Sequence, residues 1–272
     1  MDLGLRGRNG IVVGGSRGIG KAIALALAQE GMNLALVARN AERLSAAAAE
    51  IRGATRSQVI PLPCDVTSRR AVDAMVTAAA EALGSLHVLI NSGSAPGGSP
   101  NAIGRIDTIV DEDFLEDFNI KYLGALRCAR AAIPHLQRAG WGRIVNVSGL
   151  NARVAGNLSG GARNTSLVHF TKTLAMQLGR DGITVNCIHP GITRTERTAG
   201  LLEARAEREG RTPEQIEADD HARGSPRANA IGRMVDAAEI GHLAAFLCSD
   251  KAWAVTGEVI AAGGGVGTAV YY

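Results

Sequence analysis

Apolar residues in this chain recur with two alternating periods. Short continuous runs, rich in β-branched residues, give way to longer stretches in which apolar positions return at helical spacing. The first run, 11–13, is Ile11-Val12-Val13. Beyond a cluster of glycines, Ile19, Ile23, Ala26 and Leu27 share one helical face, and Gly31 stops it. The alternation continues to the end of the chain. It predicts strands over 33–38, 58–63, 87–90, 142–147, 183–188 and 258–262. Helices are expected over 41–51, 68–83, 111–139, 160–178 and 237–247, the last capped by Asp236. Apolar strands separated by helices read as a parallel sheet covered on both faces. The expected fold is α/β: a single-domain, Rossmann-like, doubly wound parallel sheet of about seven strands with helices on both faces, over 1–272.

Segment 195–230 breaks the pattern, being charged, rich in Arg and Glu, and poor in large apolar positions. It reads as one or two short helices forming a mobile substrate lid, with a solvated insertion as the alternative. Composition adds boundaries. A hydrophobic fraction of 46% with 20% charged residues suits a large core, and no apolar run is long enough to span a bilayer. A net charge of +3, with both signs interspersed, leaves no footprint for nucleic acid or for a membrane. Cys64, Cys128, Cys187 and Cys248 lie far apart without a CxxC pair, so no metal site is expected and the thiols suit a reducing compartment. The first residues lack the apolar core of a secretory signal, and a cytoplasmic protein is expected.

The chemistry begins at Val13-Gly14-Gly15-Ser16-Arg17-Gly18-Ile19-Gly20, between a strand and a helix. A side chain in such a turn would hold a pyrophosphate away from the backbone N–H groups and the positive helix end. The turn therefore predicts a dinucleotide site at Gly14, Ser16, Arg17, Gly18, Ile19 and Gly20, against the plainer reading of a tightly packed turn. An NAD-type site places an acid at the end of the second strand, but here that strand ends in Ala38-Arg39-Asn40. Arg39 together with Arg17 would pair with a 2′-phosphate, favouring NADP(H) over NAD(H), unless both simply face solvent. Asp65, followed by Val66, stands at the carboxyl end of the third strand, where it could bind the adenine amino group or cap the next helix. Small residues in Asn91-Ser92-Gly93-Ser94 and the loop running to Asn101 would again let a cofactor approach. The long helix carries Asn119, Lys121 and Tyr122, polar groups that need partners in a site or across a subunit interface.

Taken together these residues resemble the short-chain dehydrogenase/reductase family across essentially the whole chain. The glycine turn is similar to that family's TGxxxGIG, with Val13 in place of threonine, and Asn91-Ser92-Gly93-Ser94 to a degraded NNAG. Pro190-Gly191-Ile192-Thr193-Arg194-Thr195 fits PGxxxT, in which Pro190, Gly191, Ile192 and Thr195 would hold the nicotinamide end. The resemblance implies an NAD(P)(H)-dependent oxidoreductase interconverting a carbonyl and a secondary alcohol on a small molecule. It also implies a homotetramer or homodimer built through the helices around Asn119 and His169.

The family's catalytic set is Asn, Ser, Tyr and Lys. Asn119 falls at the asparagine, and Ser148 is the candidate serine, with Gly149 where the second of a serine pair is usual. Counting back from Thr171-Lys172-Thr173-Leu174-Ala175, similar to the family's TKxLA, puts Gly160 at the tyrosine and Asn164 at the lysine. A slip of one residue gives Ser159 and Arg163. Tyrosine occurs only at 122, 271 and 272 and lysine only at 21, 121, 172 and 251, so no Tyr-x-x-x-Lys exists. Tyr122 and His189 are substitute proton donors, with an interface tyrosine and a packed strand-end histidine as the plainer readings. Two functions follow: an oxidoreductase with a non-standard proton relay, or a catalytically inactive NADP(H)-binding homologue acting as sensor or partner subunit.

Overall fold

The computed structural model describes residues 1–94 and 97–267, so Ala95, Pro96 and the C-terminal Tyr271 and Tyr272 lie outside the described residues. The chain opens with β1 (Asn9–Val13), α1 (Gly18–Gln29), β2 (Asn33–Ala38), α2 (Ala41–Ala54), β3 (Val59–Pro63) and α3 (Arg69–Leu83). Next come β4 (Val88–Asn91) and α4 (Asp111–Phe118), then, past a π-helical turn (Asn119–Leu123), α5 (Gly124–Ala139), β5 (Gly142–Val147) and α6 (Leu158–Leu178). The last third holds β6 (Ile183–Pro190), β7 (Thr193–Arg194), α7 (Glu196–Glu209), α8 (Pro213–His221), β8 (Val235–Asp236), α9 (Ala237–Cys248) and β9 (Val259–Ala262).

Seven strands pair in parallel in the order β3-β2-β1-β4-β5-β6-β9, which reverses direction between β1 and β4. A parallel strand alternates its side chains between two covered faces, and β1 shows the result. Val12 packs with Ile23 and Leu27 of α1, Leu44 of α2 and Ile240 of α9. Ile11 and Val13 pack in the opposite layer with Val76 of α3, Leu136 of α5 and Leu174 of α6. Full burial of each large aliphatic side chain contributes about 1.5–3 kcal/mol, so both layers anchor the strand.

Helix starts are fixed by short polar side chains. Asn40 accepts from the Arg43 N–H at 2.8 Å, Ser68 from Ala71 at 3.3 Å and Asn157 from Gly160 at 2.6 Å. Asp236 and Glu239 form a reciprocal box at the start of α9, as expected for a cap there.

Three local features depart from the sequence pattern. The helix expected over 111–139 is interrupted by the π-helical turn at Asn119–Leu123. At its end Gly124 packs so closely that a Cβ would lie 2.8 Å from Val66 Cγ2, and the wider turn lets the chain meet that contact. β6 continues to Pro190 because β9 pairs along its end, Ala262 opposite Pro190. A second, two-stranded parallel sheet joins β7 to β8 and closes the charged segment at its base, while α7 and α8 supply its helices. No helix among the described residues is long and apolar enough to cross a membrane.

Helices α1 and α9 touch at glycine, since a Cβ on Gly241 would lie 2.8 Å from the Ala22 carbonyl oxygen. Gly241→Val therefore destabilises the fold by about 1–3 kcal/mol through overpacking. Gly53, exposed near the end of α2 with nothing within 4 Å, behaves oppositely: Gly53→Ala stabilises by up to about 1 kcal/mol. Urea midpoints moving in opposite directions check the pair.

Candidate active site

A cleft of about 410 Å³ opens at the carboxyl edge of the sheet, where the strand order reverses. Such a crevice is where open α/β sheets bind ligands. Its floor is the glycine turn, tied to the neighbouring strand by Gly14 N–H donating to the Val37 carbonyl at 2.7 Å. Gly14 has φ +80°, and a Cβ there would lie 2.6 Å from the Ser92 oxygen. A Cβ on Gly20 would lie 2.2 Å from the Gly14 oxygen, so helix and strand can meet here only without side chains.

The Gly18 N–H donates to Glu196 Oε2 at 2.8 Å, from the first residue of α7. The other carboxylate oxygen lies 3.6 Å from Lys21 Nζ. Burial opposes ionisation of Glu196, yet backbone N–H groups of Glu196 and Gly18, with Lys21 nearby, hold its pKa below the usual carboxylate range. A carboxylate of the same chain thus rests on the helix N-terminus, where the backbone N–H and the helix end favour negative charge.

Positive charge gathers at one end of the cleft. Arg17, Arg39, Arg43 and Arg197 all line it. Burial lowers the Arg17 pKa, and repulsion from Arg43 and Arg197 lowers it further. Arg43 and Arg197 were not singled out by sequence. Arg43 sits one helical turn beyond Arg39, while Arg197 belongs to a segment without periodicity. Asp65, exposed on the same wall, accepts from the backbone N–H of Thr67 at 2.9 Å and its hydroxyl at 2.8 Å, and the backbone bond leads in holding its pKa low. Ser68, not Asp65, caps α3, because the Asp65 carboxylate is spent on Thr67. Val66 lines the cleft beside it.

Beyond β4 the wall is formed by Lys121, Val147, Ser148 and Pro190, and Gly93, Ile120 and Thr195 complete the lining. Thr195 is the N-cap of α7 and forms a reciprocal box with Thr198. Ser16 and Ile19 also line the cleft; Asn91, Asn119, Gly191 and Ile192 do not. Asn91 Nδ2 turns into the sheet and donates to Asn146 Oδ1 at 2.9 Å, and Asn146 Nδ2 donates to Thr171 Oγ1 at 2.9 Å. Gly191 backs the site, where a Cβ would strike Gly263 Cα at 2.7 Å, and Ile192 is exposed. Asn119 opens the π-helical turn, its Oδ1 buried without a partner.

Lys121 is buried in this wall and donates from Nζ to the Ser148 carbonyl oxygen at 2.9 Å. Ser148 Oγ in turn donates to the Asn164 carbonyl at 3.0 Å. By sequence Lys121 was marked only as a polar group needing a partner; its direction depends on the π-helical turn, which periodicity does not reveal. Around α6, Ser159 donates to Asp117 Oδ2 at 2.6 Å, and Arg163 lies 3.7 Å from Asp117 Oδ1. Ser159 is hydrogen-bonded to that buried acid, whereas Arg163 is only ion-paired with it, its Nε and Nη1 buried without hydrogen-bond partners. Gly160 packs on the Asn157 cap, where a Cβ would lie 2.7 Å from Asn157 Cγ. Tyr122 is wedged between Phe118 and Phe170, with ring centroids at 4.9 Å and 5.8 Å, and does not line the cleft. No group of His, Cys, Asp and Glu among the described residues could hold a metal ion.

The profile of the enoyl-(acyl carrier protein) reductase family matches residues 13–267. The short-chain reductase protein NovJ of Streptomyces niveus is 32% identical over 94% of this chain and 92% of its own. NADPH-dependent reductase BacG of Bacillus subtilis is 31% identical over 95% of this chain and 97% of its own. Among solved structures, L-sorbose reductase from Gluconobacter frateurii, complexed with NADPH and L-sorbose, superposes with a TM-score of 0.88 at 28% identity. That match covers 97% of this chain and 98% of the reductase.

His189 is fully buried, and its Nδ1 accepts from the Gly149 N–H at 3.3 Å, which fixes it as a neutral ring. Burial, with repulsion from Arg153 and Lys121, pushes its pKa down to about 4. The unfolded ring titrates near 6.5, so the folded state binds fewer protons between these values. Stability from His189 is complete above pH about 6.5 and falls as pH drops towards about 4, by about 3 kcal/mol at about 1.4 kcal/mol per unit. His189→Asn keeps an acceptor for Gly149 and flattens that part of the acid-unfolding profile, as read by denaturant melts across pH.

Proposed function

Because the chain belongs to the short-chain dehydrogenase/reductase family, we propose that it works as an NADP(H)-dependent oxidoreductase interconverting a carbonyl and a secondary alcohol of a small molecule through a non-standard proton relay. The observation that carries this reading is the cleft itself: an anion-receptive glycine turn beside four arginines, Arg17, Arg39, Arg43 and Arg197. Guanidinium groups pair with phosphate through charge-assisted bonds and gain nothing comparable from a ribose hydroxyl. The NADPH-dependent relative and the NADPH-complexed neighbour support the same choice of cofactor.

In this reading Gly14, Ser16, Arg17, Gly18, Ile19 and Gly20 hold the diphosphate, and Arg39 with Arg43 holds the 2′-phosphate. Asp65 and Val66 receive the adenine; Asn91 braces the strand that presents Gly93. Pro190, Gly191, Ile192 and Thr195 hold the nicotinamide end, and the bound cofactor supplies the hydride. Asn119 and Ser148 are the members of the family's catalytic set that remain, while Gly160 and Asn164 stand at the positions of the tyrosine and lysine. Segment 195–230 is the substrate lid of a single domain, tied at its base by β7 and β8. The 77%-exposed Met176 of α6 supports a homotetramer or homodimer through α5 and α6.

Gly160 and Asn164 favour a second reading, a catalytically inactive NADP(H)-binding homologue that acts as sensor or partner subunit. Titration with NADPH and NADH, followed by NADPH oxidation across a panel of ketones and aldehydes, separates the two. The oxidoreductase reading requires turnover of at least one carbonyl, and binding without turnover supports the alternative. Arg39→Ala weakens NADPH binding by about 10–100-fold, the loss of one charge-assisted contact, and leaves NADH nearly unchanged. Equal losses for both cofactors would remove the 2′-phosphate assignment.

A further inference from the structure

We propose that Lys121 donates the proton to the substrate's carbonyl oxygen in reduction and takes it back in oxidation, an assignment that depends on the oxidoreductase reading above. The alternatives on α6, His189 on β6 and Tyr122 are disqualified by their surroundings. Ser159 and Arg163 are held by Asp117. Asn164 has no titrating group, and Gly160 has no side chain. His189 is a buried neutral ring off the cleft wall, and Tyr122 is packed between two phenylalanines.

Lys121 is the lysine on the cleft wall, at the end formed with Ser148 and Pro190. One of its three N–H bonds is fixed by the Ser148 carbonyl at 2.9 Å, which holds Nζ in place and leaves two N–H bonds for other partners. The π-helical turn at Asn119–Leu123 carries it, next to the position of the family's asparagine. A cation thus reaches the neighbourhood of Ser148 from the π-helical turn, while α6, from which the family supplies its lysine, carries Asn164 there.

The groups facing the ammonium are Arg163 from α6, Asp117 from α4, and Cys187 and His189 from β6. Burial first, then Arg163, brings its pKa down to about 7, against the opposing pull of Cys187 and Asp117. Near neutral pH the group therefore exists in both protonation states, as a proton donor and acceptor must. With hydride delivered to the carbonyl carbon, the C–O π pair moves onto oxygen. An O–H bond forms there as an N–H bond of Lys121 breaks, and the neutral amine stays on the Ser148 carbonyl through a remaining N–H. Water entering the cleft returns the proton.

The test combines the natural chain with two variants. In the cofactor-free protein, competitive acetylation with acetic anhydride across pH, read by peptide mass spectrometry, gives half-modification of Lys121 near pH 7. Lys121→Met, which keeps the length of the side chain, binds NADPH as the natural chain does and lowers kcat for reduction by about 10²–10⁴-fold. The natural chain loses reductase activity as pH rises through about 7, and the variant shows no such limb. Lys121→Arg keeps the charge but cannot release a proton, so it fails like Lys121→Met if the role is proton transfer and recovers if Lys121 is only a fixed cation. Recovery by arginine, undiminished turnover by the methionine variant, or labelling of Lys121 near pH 10 each overturns the assignment. NADPH binding by the natural chain with no turnover of any carbonyl overturns the oxidoreductase reading, and the proton role with it. Should the methionine variant fail to fold, the labelling profile and the arginine variant still decide.

Discussion

The approach of Gly20 to the Gly14 carbonyl, too close for even a methyl group, is the constraint on which the rest of the structure depends. It lets α1 start directly against the strand that feeds it, at the crevice between β1 and β4, where the Gly18 N–H meets the Glu196 carboxylate. Everything at the site is then arranged relative to that edge. The strand ends bring Arg39, Asp65, Gly93, Ser148 and Pro190 to one line, because parallel strands of one sheet end on the same side.

Most of the fold was legible because parallel strands buried on both faces leave unbroken apolar runs, and the helices between them keep a clear stripe. Strands β2 and β5 coincide with their expected limits, and the polar caps at Asn40, Ser68 and Asp236 explain why several helix starts were readable to within a residue or two. What escaped was set by tertiary contact. The π-helical turn answers the packing of Gly124 on Val66, and the small β7–β8 sheet joins residues far apart in the chain, neither of which leaves a local period.

Legibility of the site divides the same way. The glycine turn and Arg39 were singled out by sequence because a phosphate demands particular residue types at particular spacings, and both line the cleft. Lys121 does not, since a lysine within an apolar helical stretch looks the same whether it reaches water or a buried carbonyl. Arg43 and Arg197 became visible only when α2 and α7 were seen to present them to the same cleft as Arg39. Around α6, the buried Asp117 organises Ser159 and Arg163 into a polar cluster beneath the cleft, and the pattern of residue types there gave no sign of that acid's reach.

The carboxylate of Glu196 on the Gly18 N–H makes the filled and empty clefts mutually exclusive arrangements of one helix end. In the proposed function, a phosphate seated on that donor displaces the Glu196 carboxylate, so its affinity is the intrinsic affinity scaled by the fraction of molecules in which the donor is free. Departure runs the other way. On the same reading, the Glu196 carboxylate satisfies the Gly18 N–H when the phosphate is absent, which lowers the penalty for release. In the proposed oxidoreductase, such an exchange trades tightness of grip for ease of release.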